Sequence, residues 1–334
     1  MPYSLDNRLV VGIASSALFD LAAADDVFRN HGEQAYRKYQ EDKLTEPLGP
    51  GVAFPFIKRL LSLNDLSGGD GPLVEVVILS RNDPDTGLRV MRSVEHHNLA
   101  ITRAIFMQGK SPYKFMPVLH MALFLSANRA DVHEATSRGL PAGLVLPSDY
   151  VDDTDDADLR IAFDFDGVLA DDASERVMQA GGLEEFHAHE RANTVTPHSP
   201  GPLAGFLREI NRIQRREEDR RLEDPTYRIR LHVAIVTARS APSHERPISS
   251  LKAWGVTVND VFFLGGVDKG PVIGVLRPHI FFDDQQANLT STSPMAPSVH
   301  IPYGVVNLPS GAGEAAGGEP APHAEHAGGR TDDQ

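Results

Sequence analysis

Short apolar runs, each followed by a polar turn and a helix-like segment, recur along the whole chain. In the first half they are LVVGIA (9–14), LVEVVIL (73–79), RAIFM (103–107), MALFL (121–125) and GLVLP (143–147). In the second half they are LRIAFDF (159–165), LHVAIV (231–236), DVFFL (260–264), HIFF (279–282) and SVHIP (298–302). Runs of this length bounded by turn residues predict strands, and strands alternating with helices predict parallel, doubly wound sheets. The expected fold is therefore α/β, built from two Rossmann-like units over residues 1–147 and 159–308. Between them SDYVDDTDDAD (148–158) is acidic and lacks an apolar face, so it reads as a linker.

The pattern changes in two places. Residues from about 170 to 230 separate the first two strands of the second unit and are mostly polar helix, as in PLAGFLREINRIQRREEDRRLED. A crossover needs only a dozen or so residues, so this insertion is expected to form a helical cap over the ligand-binding edge of the sheet. From 309 to 334 the chain has almost no large apolar residues, and disorder is expected there.

Composition narrows the chemistry. With 334 residues and 41% hydrophobic content, each unit is large enough to bury its own core. A formal net charge of −14 disfavours nucleic acid and anionic membrane surfaces as partners. There is no cysteine, so disulfides and thiolate chemistry are excluded, and any metal must be held by Asp, Glu or His. Oxygen-rich sites favour a hard ion such as Mg²⁺. The start of the chain lacks the basic and apolar regions of a signal peptide, and no apolar stretch approaches a bilayer span, so the cytoplasm is the expected compartment.

Asp164 and Asp166 end the apolar run IAFDFDGVLADD, at the strand end where doubly wound sheets bind ligands. One carboxylate of such a pair can attack phosphorus, and a second two residues on can protonate the leaving oxygen. Three companions follow at further strand ends. Thr237 in LHVAIVTAR offers a hydroxyl to a phosphoryl oxygen, beside Ala238 and Arg239; Arg239 either faces the site or caps the strand. Lys269 in GGVDKGPV supplies a cation, and Asp283 and Asp284 in HIFFDDQ complete a Mg²⁺ site with Asp164 and the backbone carbonyl of Asp166.

Asp164/Asp166, Thr237, Lys269 and Asp283/Asp284 match, in order, the four motifs of the haloacid dehalogenase-like phosphatases, which this chain resembles. The strings LFDL, HGEQAYRKYQ, LVEVVILSRNDPDTGLRV, GKSPYKF, LFLSAN, VTARSAPS, KGPV and RPHIFFDDQ are similar to the type I cytosolic 5′-nucleotidases over roughly residues 8–305. That resemblance implies Mg²⁺-dependent hydrolysis of nucleoside 5′-monophosphates, with AMP preferred and IMP a further candidate. It implies Asp164 as nucleophile and metal ligand and Asp166 as acid/base; of the two final acids, Asp284 is the expected direct metal ligand and Asp283 its supporting partner. In the insertion, Phe186, His187, His189, Glu190 and Arg191 are candidates to meet the base or sugar, with Phe186 foremost for stacking. The competing readings are a phosphatase of another small phosphate ester and a nucleotide-sensing protein with negligible turnover.

The first unit reads as an acid-free copy of the second. Ser80 aligns with Thr237 and Ser126 with Asp283 at one offset of 157, while Ala14 aligns with Asp164 and Ser16 with Asp166 at an offset of 150. Ala127 stands opposite Asp284 and Pro112 opposite Lys269, so this copy is expected to be inert. Lys110, Tyr113 and Lys114 in QGKSPYKF are candidates for an effector site taking ADP, ATP or GTP, or for a contribution to a homo-oligomer.

Overall fold

A computed structural model describes residues 3–69 and 71–308; the tail expected to be disordered lies outside the described residues. All ten apolar runs form strands. The first five are β1 (Leu9–Ile13), β2 (Val74–Ser80), β3 (Arg103–Phe106), β4 (Met121–Ser126) and β5 (Ala142–Val145). The second five are β6 (Leu159–Phe163), β7 (Leu231–Thr237), β8 (Asp260–Phe263), β9 (Ile280–Asp283) and β10 (Ser298–His300).

They make one ten-stranded sheet in the order β3-β2-β1-β4-β5-β10-β9-β6-β7-β8. Every neighbouring pair is parallel except β5 and β10, which meet antiparallel with Val145 opposite Val299 and Leu144 opposite His300. Each half thus repeats the order 3-2-1-4-5, and the two halves are joined at their fifth strands. Gly143 permits that junction, because a Cβ there would lie 2.4 Å from a methyl of Val299.

Alternate residues of each strand serve opposite faces. On one face Leu9, Val11, Ile13, Ile161 and Phe163 join a single apolar cluster that runs through both halves. On the other face Val10 and Ala162 belong to two separate clusters, one in each half.

The helices between first and second strands explain the shared face. In the first half these are a four-residue turn α1 (Ser15–Leu18), α2 (Ala22–Asp42) and α3 (Phe54–Ser62). Next come α4 (Pro84–His96) and α5 (Arg129–Ser137), then, in the second half, α6 (Ala173–Ala192) and α7 (Ala204–Glu223). Helix α3 packs against β6, and α7 packs against β1 and β4, so each covers strands of the other half. The insertion expected to be a cap therefore divides. Only α6 stands at the strand ends; α7 buries Phe206, Leu207, Ile210 and Ile213 in the shared core. Its polar appearance comes from the charged face turned to solvent.

The acidic stretch 148–158 is pinned rather than free. Buried Arg59 of α3 donates to the carboxylate of Asp152 at 3.0 Å and to the backbone oxygens of Asp153 and Asp156.

The two halves also repeat one another in backbone detail. Residues with positive φ recur at the offset of 157: Asn98 and Gly255, Gln108 and Gly265, Gly109 and Gly266, His120 and Arg277. At the offset of 150, Gly32 breaks α2 as Gly182 breaks α6. Side chains at these positions differ widely, so the frame persists independently of the chemistry hung on it.

Candidate active site

The C-terminal ends of β6, β7 and β9, with α9 (Lys269–Leu276) after β8, bring together Asp164, Thr237, Lys269, Asp283 and Asp284. All five are buried. Lys269 sits between two acids, its Nζ 3.0 Å from Asp164 Oδ1 and 2.7 Å from Asp283 Oδ2. Burial alone would drive its proton off, but the two carboxylates outweigh that and raise its pKa. The ammonium is thus fixed in place and charged.

Asp164 Oδ1 also accepts from the Phe165 N–H at 2.7 Å, so the bonds to Lys269 and Phe165 both fall on this oxygen and not on Oδ2. Asp283 is saturated: beyond Lys269 it accepts from the Gln285 N–H at 2.8 Å and from Asn288 Nδ2 at 3.1 Å. Asn288 lies on the first turns of α10 (Gln286–Thr292).

Asp284 is the opposite case. Its Oδ1 is buried and has no hydrogen-bond partner among the described residues. Its Oδ2 packs on Gly167, whose φ is +70° and where a Cβ would fall 2.2 Å from that oxygen. Any side chain at 167 would displace Asp284. The backbone oxygen of Asp284 is held by His300 Nε2 at 3.0 Å and Asn307 Nδ2 at 3.0 Å.

Ligand atoms of Asp164, Asp283 and Asp284 lie within 4.8 Å of one another. Burial, then the charges of Asp164 and Asp283, push the Asp284 carboxyl up to about 9. Burial foremost, with Asp283 and Asp166 adding to it and Lys269 opposing, pushes Asp164 up to about 7. Three buried carboxylates share one ammonium, so the cluster is short of positive charge. A hard divalent cation fits an all-oxygen site with an orphaned oxygen. Asp164 and Asp284 are the residues that would hold it, with Asp283 orienting Lys269 instead.

The Asp166 side chain is outside this cluster. Arg239 Nε and Nη2 bind its two oxygens at 2.6 Å each, so Arg239 faces the site rather than capping a strand. The Thr237 hydroxyl accepts from the Arg239 N–H at 3.2 Å, leaving its own proton to donate.

Arg239 is in turn held by the cap. Its Nη1 donates to Glu190 Oε2, and Nη2 lies 3.1 Å from His198 Nε2. Glu190 is fully buried on α6 and also accepts from Arg246 Nη1 at 2.8 Å and Ser174 Oγ at 2.9 Å. Burial would raise the Glu190 carboxyl, but the bonds from His198 and Arg239 outweigh it and hold it well below the usual range.

The other cap candidates take different places. Phe186 is buried against the Arg239 guanidinium, 5.2 Å from its ring centre, so in this state it walls the site rather than offering a free stacking face. His187 Nδ1 lies 2.6 Å from Ser243 Oγ, while the Arg191 side chain bonds back to the His187 carbonyl on the exposed side of α6. His189 Nδ1 lies 3.3 Å from Glu190 Oε1.

Of the three effector candidates, Lys110 and Lys114 are exposed and line none of the cavities described below, and Tyr113 is buried in the first half's own core. The sequence reading also missed His198, Arg246, Asn288 and His300. The 157 offset would have found Arg246, since it falls on Arg89, which bonds Gln40 as Arg246 bonds Glu190.

One curated relative, the Homo sapiens protein "Cytosolic 5′-nucleotidase 1B", is 31% identical over 290 residues, covering 85% of this chain and 47% of the relative. The chain therefore spans about half the length of that protein. No solved structure matches. Among the described residues, no helix is long and apolar enough to cross a membrane. The 5′-nucleotidase family model matches residues 1–308, nearly the whole chain, and the chain belongs to that family.

Proposed function

We propose that the protein hydrolyses nucleoside 5′-monophosphates to nucleoside and phosphate, with AMP favoured and IMP accepted, in the cytosol. The observation that carries this is the pairing of Asp164 with Lys269 beside the orphaned Asp284 oxygen. It gives a buried nucleophile, a fixed cation and a seat for Mg²⁺ at one strand edge. Family membership and the name of the human relative support the substrate class; the preference for AMP rests on the resemblance to type I enzymes.

Asp164 Oδ2 attacks phosphorus, forming an aspartyl-phosphate as the bond to the ribose 5′-oxygen breaks. Asp166 donates a proton to the departing oxygen. It then takes one from the water that attacks the aspartyl-phosphate, releasing phosphate and regenerating Asp164. Lys269 and the Thr237 hydroxyl bind phosphoryl oxygens as charge gathers on them, with the Ala238 N–H beside them at the end of β7. Mg²⁺ bound at Asp164 and Asp284 would neutralise charge on the phosphoryl group. Arg239 sets the direction of Asp166, and α6 sets the position of Arg239.

Phosphate release from AMP, IMP, GMP, CMP and UMP, with and without Mg²⁺, tests this reading. Mg²⁺-dependent release fastest from AMP is expected. Release from none of the five would overturn it in favour of another phosphate ester or a sensor without turnover.

A further inference from the structure

The first half has its own crevice at the C-terminal ends of β1, β2 and β4, and it is open. A cavity of about 870 Å³ lies there, lined in part by Ala14, Ser15, Ser16, Ser80, Asn82 and Asn128. That volume is in the range of small-molecule sites. An adjoining cavity of about 570 Å³ shares Tyr36, Arg81 and Asn82 with it.

The frame around this crevice is that of the active site. Ser80 Oγ accepts from the Asn82 N–H at 3.1 Å, as Thr237 Oγ1 accepts from Arg239. The Gln108 and Gly109 N–H groups bond the carbonyls of Asn82 and Arg81, as those of Gly265 and Gly266 bond Arg239 and Ala238. Asn128 and Gln285, at the offset of 157, have the same backbone angles, φ −99° and ψ 116°.

What differs is charge. Ala14, Ser16, Ser126 and Ala127 replace the four acids, and the acidic trio of the second half is the only metal-compatible cluster among the described residues. At the strand ends a phosphate meets hydroxyls and amides in place of those four carboxylates; exposed Asp20 and Asp25 also line the crevice, with exposed Arg29 beside them. Asp131 lies on the wall but is already matched by Arg81, at 2.9 Å. Arg129 lines the crevice, is exposed, and has no hydrogen bond or ion pair among the described residues. Tyr36 lines both cavities and falls, at the offset of 150, on Phe186. An aromatic ring beside an anion seat suits a base joined to a phosphate.

We propose that this crevice is a second ligand site, which binds a nucleoside phosphate without metal and without hydrolysing it. Arg129 also lines a cavity of about 550 Å³ that contains Asp284 and His300. The same residue therefore lines both cavities.

Calorimetric titration of the full chain with ADP in EDTA tests the proposal. Saturable binding is expected, weakened at least about tenfold by Ser16→Asp, which restores a carboxylate beside the phosphate. Asp166→Asn, the matching position in the catalytic half, is expected to leave affinity unchanged. Adenosine is expected to bind at least about tenfold more weakly than ADP. If Ser16→Asp does not fold, Arg129→Ala at an exposed position gives the same reading. Absence of saturable ADP binding overturns the proposal. So does unchanged affinity in the variant used, loss of binding in Asp166→Asn, or adenosine binding as tightly as ADP. The titration reads no turnover, so its failure leaves the hydrolase reading standing.

Discussion

Arg239 grips the carboxylate of Asp166 with two parallel bonds of 2.6 Å each, while its remaining nitrogen is held by Glu190 from the cap helix. One guanidinium thus ties Asp166, the proposed acid/base, to the covering element. A lysine would keep the charge but lose the fork. Arg239→Lys is expected to lower kcat roughly 10–100-fold through loss of orientation. Steady-state kinetics on AMP check this, and an unchanged kcat would show that the fork does not position Asp166.

Asp164→Asn removes the nucleophile while nearly preserving shape. Turnover is expected to fall by at least about 10³-fold, and no hydroxylamine-labile phosphoenzyme should be trapped on rapid acid quenching. Full turnover in this variant would rule out the aspartyl-phosphate route.

Metal binding is read most directly as stability. Because Asp284 Oδ1 is buried without a partner, Mg²⁺ is expected to raise the unfolding midpoint of the wild type by mass action. Asp284→Asn should lose that response and unfold higher than the wild type in EDTA, by about 1–2 kcal/mol, since a buried unpaired carboxylate is gone. Differential scanning calorimetry with and without Mg²⁺ distinguishes the two proteins.

Glu190 neutralises two guanidiniums in the dry interior between cap and sheet. Glu190→Gln leaves Arg246 without a carboxylate and Arg239 with Asp166 alone, and roughly 3–5 kcal/mol of stability should be lost. The first half handles the same position differently. There the neutral Gln40 accepts from one guanidinium, that of Arg89, and Asn82 stands where Arg239 would be. Chemical denaturation should therefore show Gln40→Glu to be far milder than Glu190→Gln.

His279 gives a pH signature away from the active site. It is fully buried, and its Nδ1 accepts from the Arg160 N–H at 3.0 Å. Burial first, then the charges of Arg59, Arg160 and Arg277, push it down to about 3, with Asp156 opposing. The folded state thus resists a proton that the unfolded chain accepts near 6.5. Its stability is complete above 6.5 and is lost as pH falls toward 3. His279→Asn keeps an acceptor but cannot titrate, so its unfolding midpoint should fall less steeply between pH 7 and pH 4.5.

Much of this was legible in the sequence because it is local. Each strand announces itself by a short apolar run, and Asp164, Thr237 and the Asp283–Asp284 pair by polar residues abruptly ending one, whereas Lys269 opens a helix beyond its strand. The partners of those residues were not legible. Glu190 and Arg239 are 49 residues apart, and although each is a candidate on its own nothing local pairs them, because burial of a matched ion pair leaves no periodic trace. Helix α7 was misread for the same reason: a row of arginines and glutamates hides the four apolar positions that reach the core. Lys110 and Lys114 were chosen for their charge alone, and a surface loop carries charge whether or not it binds anything. The joining of β5 to β10 pairs segments about 155 residues apart, and no local pattern encodes it.

That joining decides how the protein can be divided and how it can change. A cut in the linker would bare two sheet edges and split the apolar layer that α3 and α7 share, exposing surfaces prone to aggregation. Neither half is thus expected to survive as a fragment. The first half lacks the four strand-end acids of the second, yet it cannot be deleted without baring that layer. Chemical inertness has left it replaceable in its residues and indispensable as a wall, which is how a silent site can persist long enough to acquire another use.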